Sequence, residues 1–218
     1  IDNTWIVFAS DHGDMQGDHH LWRKSHAYEG SARIPLLVVP PPGLGPLGRA
    51  EDGVHAFTRS LASCNPPARP VAGEVVELRD IMPTILDAAG LPCPATVDGR
   101  SLLPLMCGEV PDWRTHIHGE HCTASDPIQE MQYVTDGRRK FIWLPRAGRE
   151  QFFDLESDPQ ELENLIGDPG RQTEIAQWRA RLAGELEVRN CGWVSGGRLC
   201  CPDDRHLISP YRDVRWTG

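Results

Sequence analysis

The feature that most constrains this chain is an apolar strand that runs directly into a crowd of charges and imidazoles. Residues 4 to 9, TWIVFA, present no polar face, and residues 34 to 40, IPLLVVP, repeat the signature. Short runs of this kind suit strands buried on both sides, as in a mostly parallel sheet. Between them, Asp11, His12, Asp14, Asp18, His19, His20, Lys24 and His26 fall within sixteen positions. Open α/β sheets bind ligands beyond the carboxyl ends of their strands, which is where this polar run stands. A carboxylate beside an imidazole at such a lip is a candidate pair of metal ligands, because one offers hard oxygen and the other tolerates several divalent ions. Lys24 adds a fixed positive charge for an anionic group. A metal and an ammonium around one tetrahedral oxyanion neutralise charge on the leaving oxygen in sulfuryl or phosphoryl transfer. Taken alone, Asp-His-Gly reads as a turn with Asp11 as a cap, and Lys24 as a solvated surface residue. Together at this spacing they outweigh the separate readings.

The rest of the chain reads as two parts, residues 1–110 and 111–218. Residues 41–74 are dense in Pro, Gly, Ala and Arg, which predicts a long loop or insertion. VELRDIMPTILDAAG predicts a helix with Asp80 as N-cap or first-turn acid, Ile81, Thr84, Ile85 and Ala88 at helical spacing, Gly90 as C-cap and Pro92 as stop. Past residue 110, THIHGEHC, QYVTDGRRKFIWLP and EQFFDLESDP read as short strands with turns at Asp136-Gly137 and Ala147-Gly148. RQTEIAQWRARLAGELEVR predicts an amphipathic helix with Ile175, Trp178, Leu182 and Leu186 on one stripe. The last thirty residues read as an extended surface tail. The fold class is therefore α/β, followed by a small antiparallel sheet carrying a helix. The first residue is Ile1, and a strand is already under way, so the chain reads as part of something longer.

Composition excludes several classes. A net charge of −9 with a pI near 5.4 argues against a nucleic-acid partner, whose footprint is basic. No apolar run approaches the roughly eighteen residues of a membrane span. Lys24 and Lys140 are the only lysines, a coding bias that makes Lys24 conspicuous. The seven cysteines are irregularly spaced and suggest no disulfide framework. They favour a reducing compartment, and so a cytoplasmic over a periplasmic or secreted location, although a preceding segment could carry an export signal. Oligomeric state is not legible.

SDHGDMQGDHHLWRKSHAYEGSARIPLLV resembles the C-terminal signature of the sulfatase family in the alkaline-phosphatase-like superfamily: a strand, S-D-H-G or S-D-N-G, G-D-H or G-E-H, W-x-K, then Y-E-G-x-x-R-[VI]-P. LRDIMPTILDAAGLP, DGRSLLPLM and FFDLESDPQELENL resemble later landmarks of that family in the same order, so the resemblance covers roughly residues 3 to 166. It implies the C-terminal part of an α/β/α sandwich, followed by the small sheet. It implies Asp11 and His12 as ligands of a divalent cation, calcium first with Mn2+, Mg2+ and Zn2+ as alternatives, and Lys24 as the residue that stabilises the leaving oxygen. It implies His19 lining the pocket or holding the loop, and His121 or Glu120 on the pocket's rim. His20 departs from the family pattern and receives no role. Tyr28, Glu29 and Arg33 are read as structural, with Arg33 paired to a carboxylate and Pro35 opening the next strand. The formylglycine nucleophile of sulfatases arises from a C-x-P-x-R motif, which no cysteine here begins; CNPPAR at Cys64 is one residue too long. The resemblance therefore implies a sulfuric-ester hydrolase of a small-molecule or carbohydrate sulfate ester, whose formylglycine lies in a preceding part, the segment alone being inactive. The alternatives are a phosphonate monoester or phosphodiester hydrolase of the same superfamily, or a truncated homologue that acts as a binding module.

HIHGEHC would place His116, His118 and Glu120 on one face of a strand, either as a zinc site or as a plain strand edge. The acids of FFDLESDPQELENL read as caps and solvated face around an Asp-Pro turn and helix start. The arginine-rich stretches 137–149 and 171–189 read as solvated faces, and Trp178 as core.

Overall fold

The computed structural model describes residues 2–41, 73–108, 112–121, 130–190 and 192–201. Most of the stretch read as a long loop, and the tail beyond residue 201, lie outside them. The chain divides into two compact units, Ile1–Ile117 and His118–Gly218. Among the described residues, no helix is long and apolar enough to cross a membrane.

In the first unit, β1 (Ile6–Ala9) and β2 (Leu36–Val39) pair antiparallel, with Ala9 opposite Leu36 and Ile6 opposite Val39. This corrects the expectation of parallel strands. A parallel return needs a crossover, usually a helix. The connection here holds only a 3₁₀ turn at Asp18–His20 and one helical turn, α1 (Glu29–Ala32), so the chain doubles back beside its own strand. Burial on both faces is corrected too. Ile6, Phe8, Leu37 and Val39, which the register sets on one face, are 43%, 60%, 51% and 46% exposed. An apolar run fixes the hydrophobicity of a strand, not the number of its covered faces.

The predicted helix forms as α2 (Ile81–Ala88). Gly90 ends it at φ +66, and the Leu91 N–H returns to the Leu86 carbonyl. Its buried residues are Pro83 and Thr84, whereas Ile85 is exposed. Asp80 stands at the helix entry as predicted, a first-turn acid and the N-cap of α2. It is fully buried, and its carboxylate accepts the N–H groups of Glu77 and Arg100 at 2.9 and 2.8 Å and two guanidinium nitrogens of Arg114 at 2.6 Å each. Gly99 permits this, because a Cβ there would lie 1.9 Å from the Arg79 carbonyl oxygen. The short helix α3 (Leu103–Met106) follows. Cys107 after it is disulfide-bonded, a bond the irregular spacing did not indicate.

The second unit carries a four-stranded sheet in the order β3 (Ile117–His121), β4 (Met131–Thr135), β5 (Arg139–Leu144), β6 (Arg149–Asp154). The β4–β5 and β5–β6 pairs are antiparallel. The predicted turns hold: Gly137 and Gly148 take φ +82 and +60, which glycine adopts without strain. The predicted stripe holds as well, since α4 (Gln172–Val188) buries Ile175, Trp178, Leu182 and Leu186 in one cluster with Val134, Phe141, Trp143 and Phe152.

Three readings of this unit need correction. The segment after residue 190 is not all surface tail. Trp193 is buried against Trp143, ring centroids 5.3 Å apart, ahead of the two-stranded hairpin β7 (Val194–Ser195) and β8 (Arg198–Leu199). No helix starts after Asp158-Pro159. Glu161 turns inward at φ +57, and its carboxylate meets the buried Lys140 ammonium at 2.8 Å, so it is no solvated acid; a charge so buried needs its partner. Nor is Arg139 a solvated arginine. It reaches Asp154 at 2.7 Å and Glu174 at 3.2 Å, while Arg171 reaches the same two acids at 3.1 Å each, tying the start of α4 to the sheet.

Leu182→Ala removes a fully buried side chain from the centre of this cluster. It is expected to lower the unfolding free energy by about 2–5 kcal/mol, read from the urea midpoint, and a loss below about 1 kcal/mol would mean that α4 does not close the core.

Candidate active site

Asp11 and His12 leave the carboxyl end of β1. The His12 Nδ1 lies 2.7 Å from the Gly13 carbonyl oxygen. A carbonyl only accepts, so Nδ1 is the donor in this contact, and in the neutral ring Nε2 is the nitrogen that presents a lone pair. That Nε2 stands 3.4 Å from Asp11 Oδ2. The other Asp11 oxygen accepts the His12 N–H at 3.0 Å, and the Ser10 hydroxyl donates to the His12 carbonyl at 2.6 Å. Two donors sharing one divalent cation at about 2.0–2.4 Å stand roughly 3–3.7 Å apart, and ligating histidines commonly donate their second ring N–H to a carbonyl. The donor pair therefore fits a divalent cation. Both side chains are open, Asp11 at 83% and His12 at 38%. Among the described residues no group of three potential ligands gathers, so this segment offers two.

Lys24 follows a loop that closes on itself. The Gly13 N–H donates to Ser31, Met15 to Arg23 and Gly17 to Leu21, each at 2.9 Å. The backbone after His12 is thus stitched to residue 23 on one side and residue 31 on the other, which brings Arg23, the residue before Lys24, beside Met15. Lys24 is exposed, and its ammonium bonds no other described residue. Gly13 is required where it stands, since a Cβ would lie 2.1 Å from the Gly30 carbonyl oxygen. Gln16, His19, His20, Arg23 and Ser25 all take positive φ, from 50 to 78. Such conformations cost non-glycine residues energy and persist where surroundings impose them. Here buried Met15 and Ala27 anchor the loop. His19 stacks on Tyr28, with ring centroids 4.1 Å apart and planes 6° from parallel. Arg33 pairs with Glu29 at 3.6 Å but is 79% exposed, so the backbone bonds fix the loop more than this pair does.

Among the described residues of the HIHGEHC segment, no metal-ligand cluster gathers. The His118 Nε2 donates to Gln132 Oε1 at 2.8 Å, the Gln132 amide donates to Glu120 at 3.3 Å, and Arg189 reaches Glu120 at 2.6 Å. His116 lies before β3, its Nδ1 3.1 Å from the Thr115 hydroxyl. Gln132, fully buried on the neighbouring strand, is the residue that the sequence reading missed, because nothing local announces a cross-strand partner. Burial pushes His118 below the usual imidazole range, against the opposing pull of Gln132 and Glu120. Burial works to raise Glu120, but the Arg189 contact and charge outweigh it and hold the carboxylate below its usual range. His121 closes β3 in this unit.

A carboxylate–imidazole pair at a strand's lip is a candidate cation site, and comparison places the chain that carries it. Residues 65–188 match the model of the N-sulphoglucosamine sulphohydrolase C-terminal region, and residues 1–91 match the sulfatase model. The chain belongs to the sulfatase family, with the α/β fold of the alkaline-phosphatase-like superfamily. It is 40% identical to an arylsulfatase of Clostridium perfringens, over 91% of this chain and 37% of that protein. It is 35% identical to the multifunctional alkaline phosphatase superfamily protein PehA of Trinickia caryophylli, over 77% of this chain and 31% of that protein. Among solved structures, it resembles a phosphonate monoester hydrolase from Silicibacter pomeroyi with TM-score 0.63 and 28% identity, over 87% of this chain and 35% of that one. The chain thus spans about a third of the length of these relatives (37% and 31%). Membership of the family implies a divalent cation and a formylglycine in general.

Two outcomes follow from this geometry. Gly13→Ala drives a methyl into the Gly30 carbonyl, and is expected to weaken metal retention of the full-length protein by tenfold or more, measured by competition with a chelator; unchanged affinity would mean that the close approach does not set the ligand pair. His118, held neutral in the fold, is expected to make stability fall as pH drops below about 6.5, where the unfolded chain takes the proton first, and to level off once the folded imidazole also titrates. Urea midpoints between pH 7.5 and 5 should show this slope, and His118→Gln should flatten it.

Proposed function

We propose that this chain supplies the metal-binding pair and the leaving-group lysine of a hydrolase acting on sulfate esters of a small molecule or carbohydrate. The observation that supports it best is the 3.4 Å approach of His12 Nε2 and Asp11 Oδ2, in a segment whose backbone ties Arg23, the residue before Lys24, to Met15. A divalent cation bound there supplies Lewis-acid charge to the oxygens of the ester. Calcium is the first choice for the carboxylate oxygen, with Mn2+, Mg2+ and Zn2+ as the alternatives an imidazole accepts. Gly13 holds the His12 tautomer that leaves Nε2 free to bind. Lys24, whose ammonium bonds no other described residue, places it against the alcohol oxygen as the S–O bond breaks and the oxygen gathers charge. His19, whose ring stacks on Tyr28, lines the pocket or holds the loop. No cysteine of this chain begins the formylglycine motif.

A second reading, a phosphonate monoester or phosphodiester hydrolase with the same Asp-His and Lys elements, is supported by the likeness to the phosphonate monoester hydrolase and to PehA. In the full-length protein, kcat/KM on an aryl sulfate above that on the matching aryl phosphonate supports the sulfatase, and the reverse order supports the second reading. Under either, Lys24→Ala is expected to lower kcat by roughly two to three orders of magnitude, as loss of one preorganised contact does. A loss below about tenfold would contradict the role given to Lys24.

A further inference from the structure

Asp14 has no part in the chemistry above, yet it sits where the lysine loop opens and closes. Its Oδ1 accepts the Gln16 N–H at 2.9 Å and the Arg23 N–H at 3.2 Å. One oxygen thus grips both ends of the loop, and the Met15 N–H donates to the Arg23 carbonyl at 2.9 Å alongside. The segment so enclosed is the one with Gln16, His19, His20 and Arg23 in the left-handed region. Each such residue favours relaxation to ordinary backbone, and relaxation at Arg23 would swing the next residue, Lys24, because a change in one residue's φ redirects all that follows. Asp14 itself is exposed, so its carboxylate is not needed for core packing. It is also separated in role from the ligand pair: Oδ1 of Asp14 faces backbone amides, while Nε2 of His12 and Oδ2 of Asp11 face each other.

We infer that Asp14 is a positioning residue: by clamping the N–H groups of Gln16 and Arg23 it sets where the Lys24 ammonium stands. The inference rests on the reading that Lys24 neutralises the leaving oxygen. It requires an acceptor oxygen at this reach, not a negative charge. Asparagine keeps the oxygen and should keep the clamp, whereas alanine removes the oxygen and glutamate sets it one carbon too far.

The test uses the full-length enzyme, with its metal content measured, and a series of aryl sulfates whose phenols differ in acidity. A well-placed ammonium matters most for poor leaving groups, so its displacement steepens the dependence of kcat on phenol pKa. Asp14→Ala and Asp14→Glu are expected to lose roughly 10–100-fold in kcat on the ester of a weakly acidic phenol, the range typical of supporting contacts around a site, and only a few-fold on that of a strongly acidic phenol. Metal content should match that of the unaltered enzyme. Asp14→Asn should recover most of the loss, and adding Asp14→Ala to Lys24→Ala should cost little more than Lys24→Ala alone. Equal losses across the series, or additive losses in the double variant, overturn the inference while leaving Lys24 its role. If Lys24→Ala itself fails to steepen the dependence, the functional reading falls and the role of Asp14 with it.

Discussion

The candidate site depends first on the contact between the His12 ring and the Gly13 carbonyl. That oxygen can only accept, so it fixes Nδ1 as the donor and, in the neutral ring, leaves Nε2 as the open nitrogen 3.4 Å from Asp11 Oδ2. Neither residue is buried enough to be held by packing. What holds them is the backbone: Gly13 meets Gly30 at a distance no side chain permits, and the Gly13 N–H is tied to Ser31. The ring is thus oriented by the residue that follows it, and that residue by the turn before β2.

A loop with five non-glycine residues in the left-handed region stands at an energetic cost, and the rest of the first unit supplies what holds it. Met15 and Ala27 are buried anchors at its two ends, and the His19–Tyr28 stack spans it. Further along, the Asp80 carboxylate gathers Glu77, Arg100 and Arg114 into one buried set of charge-assisted bonds, which fixes the entry into α2. Removing one member of such a set leaves an uncompensated charge, so it specifies one arrangement whatever its net contribution to stability.

What the sequence disclosed, and what it withheld, divides by distance along the chain. The Asp-His-Gly element, the turns at Gly137 and Gly148 and the stripe Ile175, Trp178, Leu182, Leu186 are local patterns, and local patterns are legible. The fold class followed from these together with the family resemblance. The buried pairs were not legible: Asp80 with Arg114, Lys140 with Glu161 and His118 with Gln132 each join residues on different elements, and an acid seen alone in sequence looks solvated. Strand direction was lost for a related reason, since TWIVFA and IPLLVVP state how apolar the strands are but not which way the second one runs. Asp14 was visible as one more charge in a crowded stretch; its two amide partners emerge only once the loop closes.

The account stands or falls on whether Asp11, His12 and Lys24 serve one anion. A diffraction study of the full-length protein with an anionic substrate analogue, recorded at a wavelength that reveals the cation, tests this directly. The predicted result is a single cation within about 2.0–2.6 Å of both Asp11 Oδ2 and His12 Nε2, with the Lys24 nitrogen within about 3.2 Å of an oxygen of the analogue. A cation bound elsewhere, or a Lys24 nitrogen beyond about 10 Å from the anion, where screening removes its influence, would contradict it.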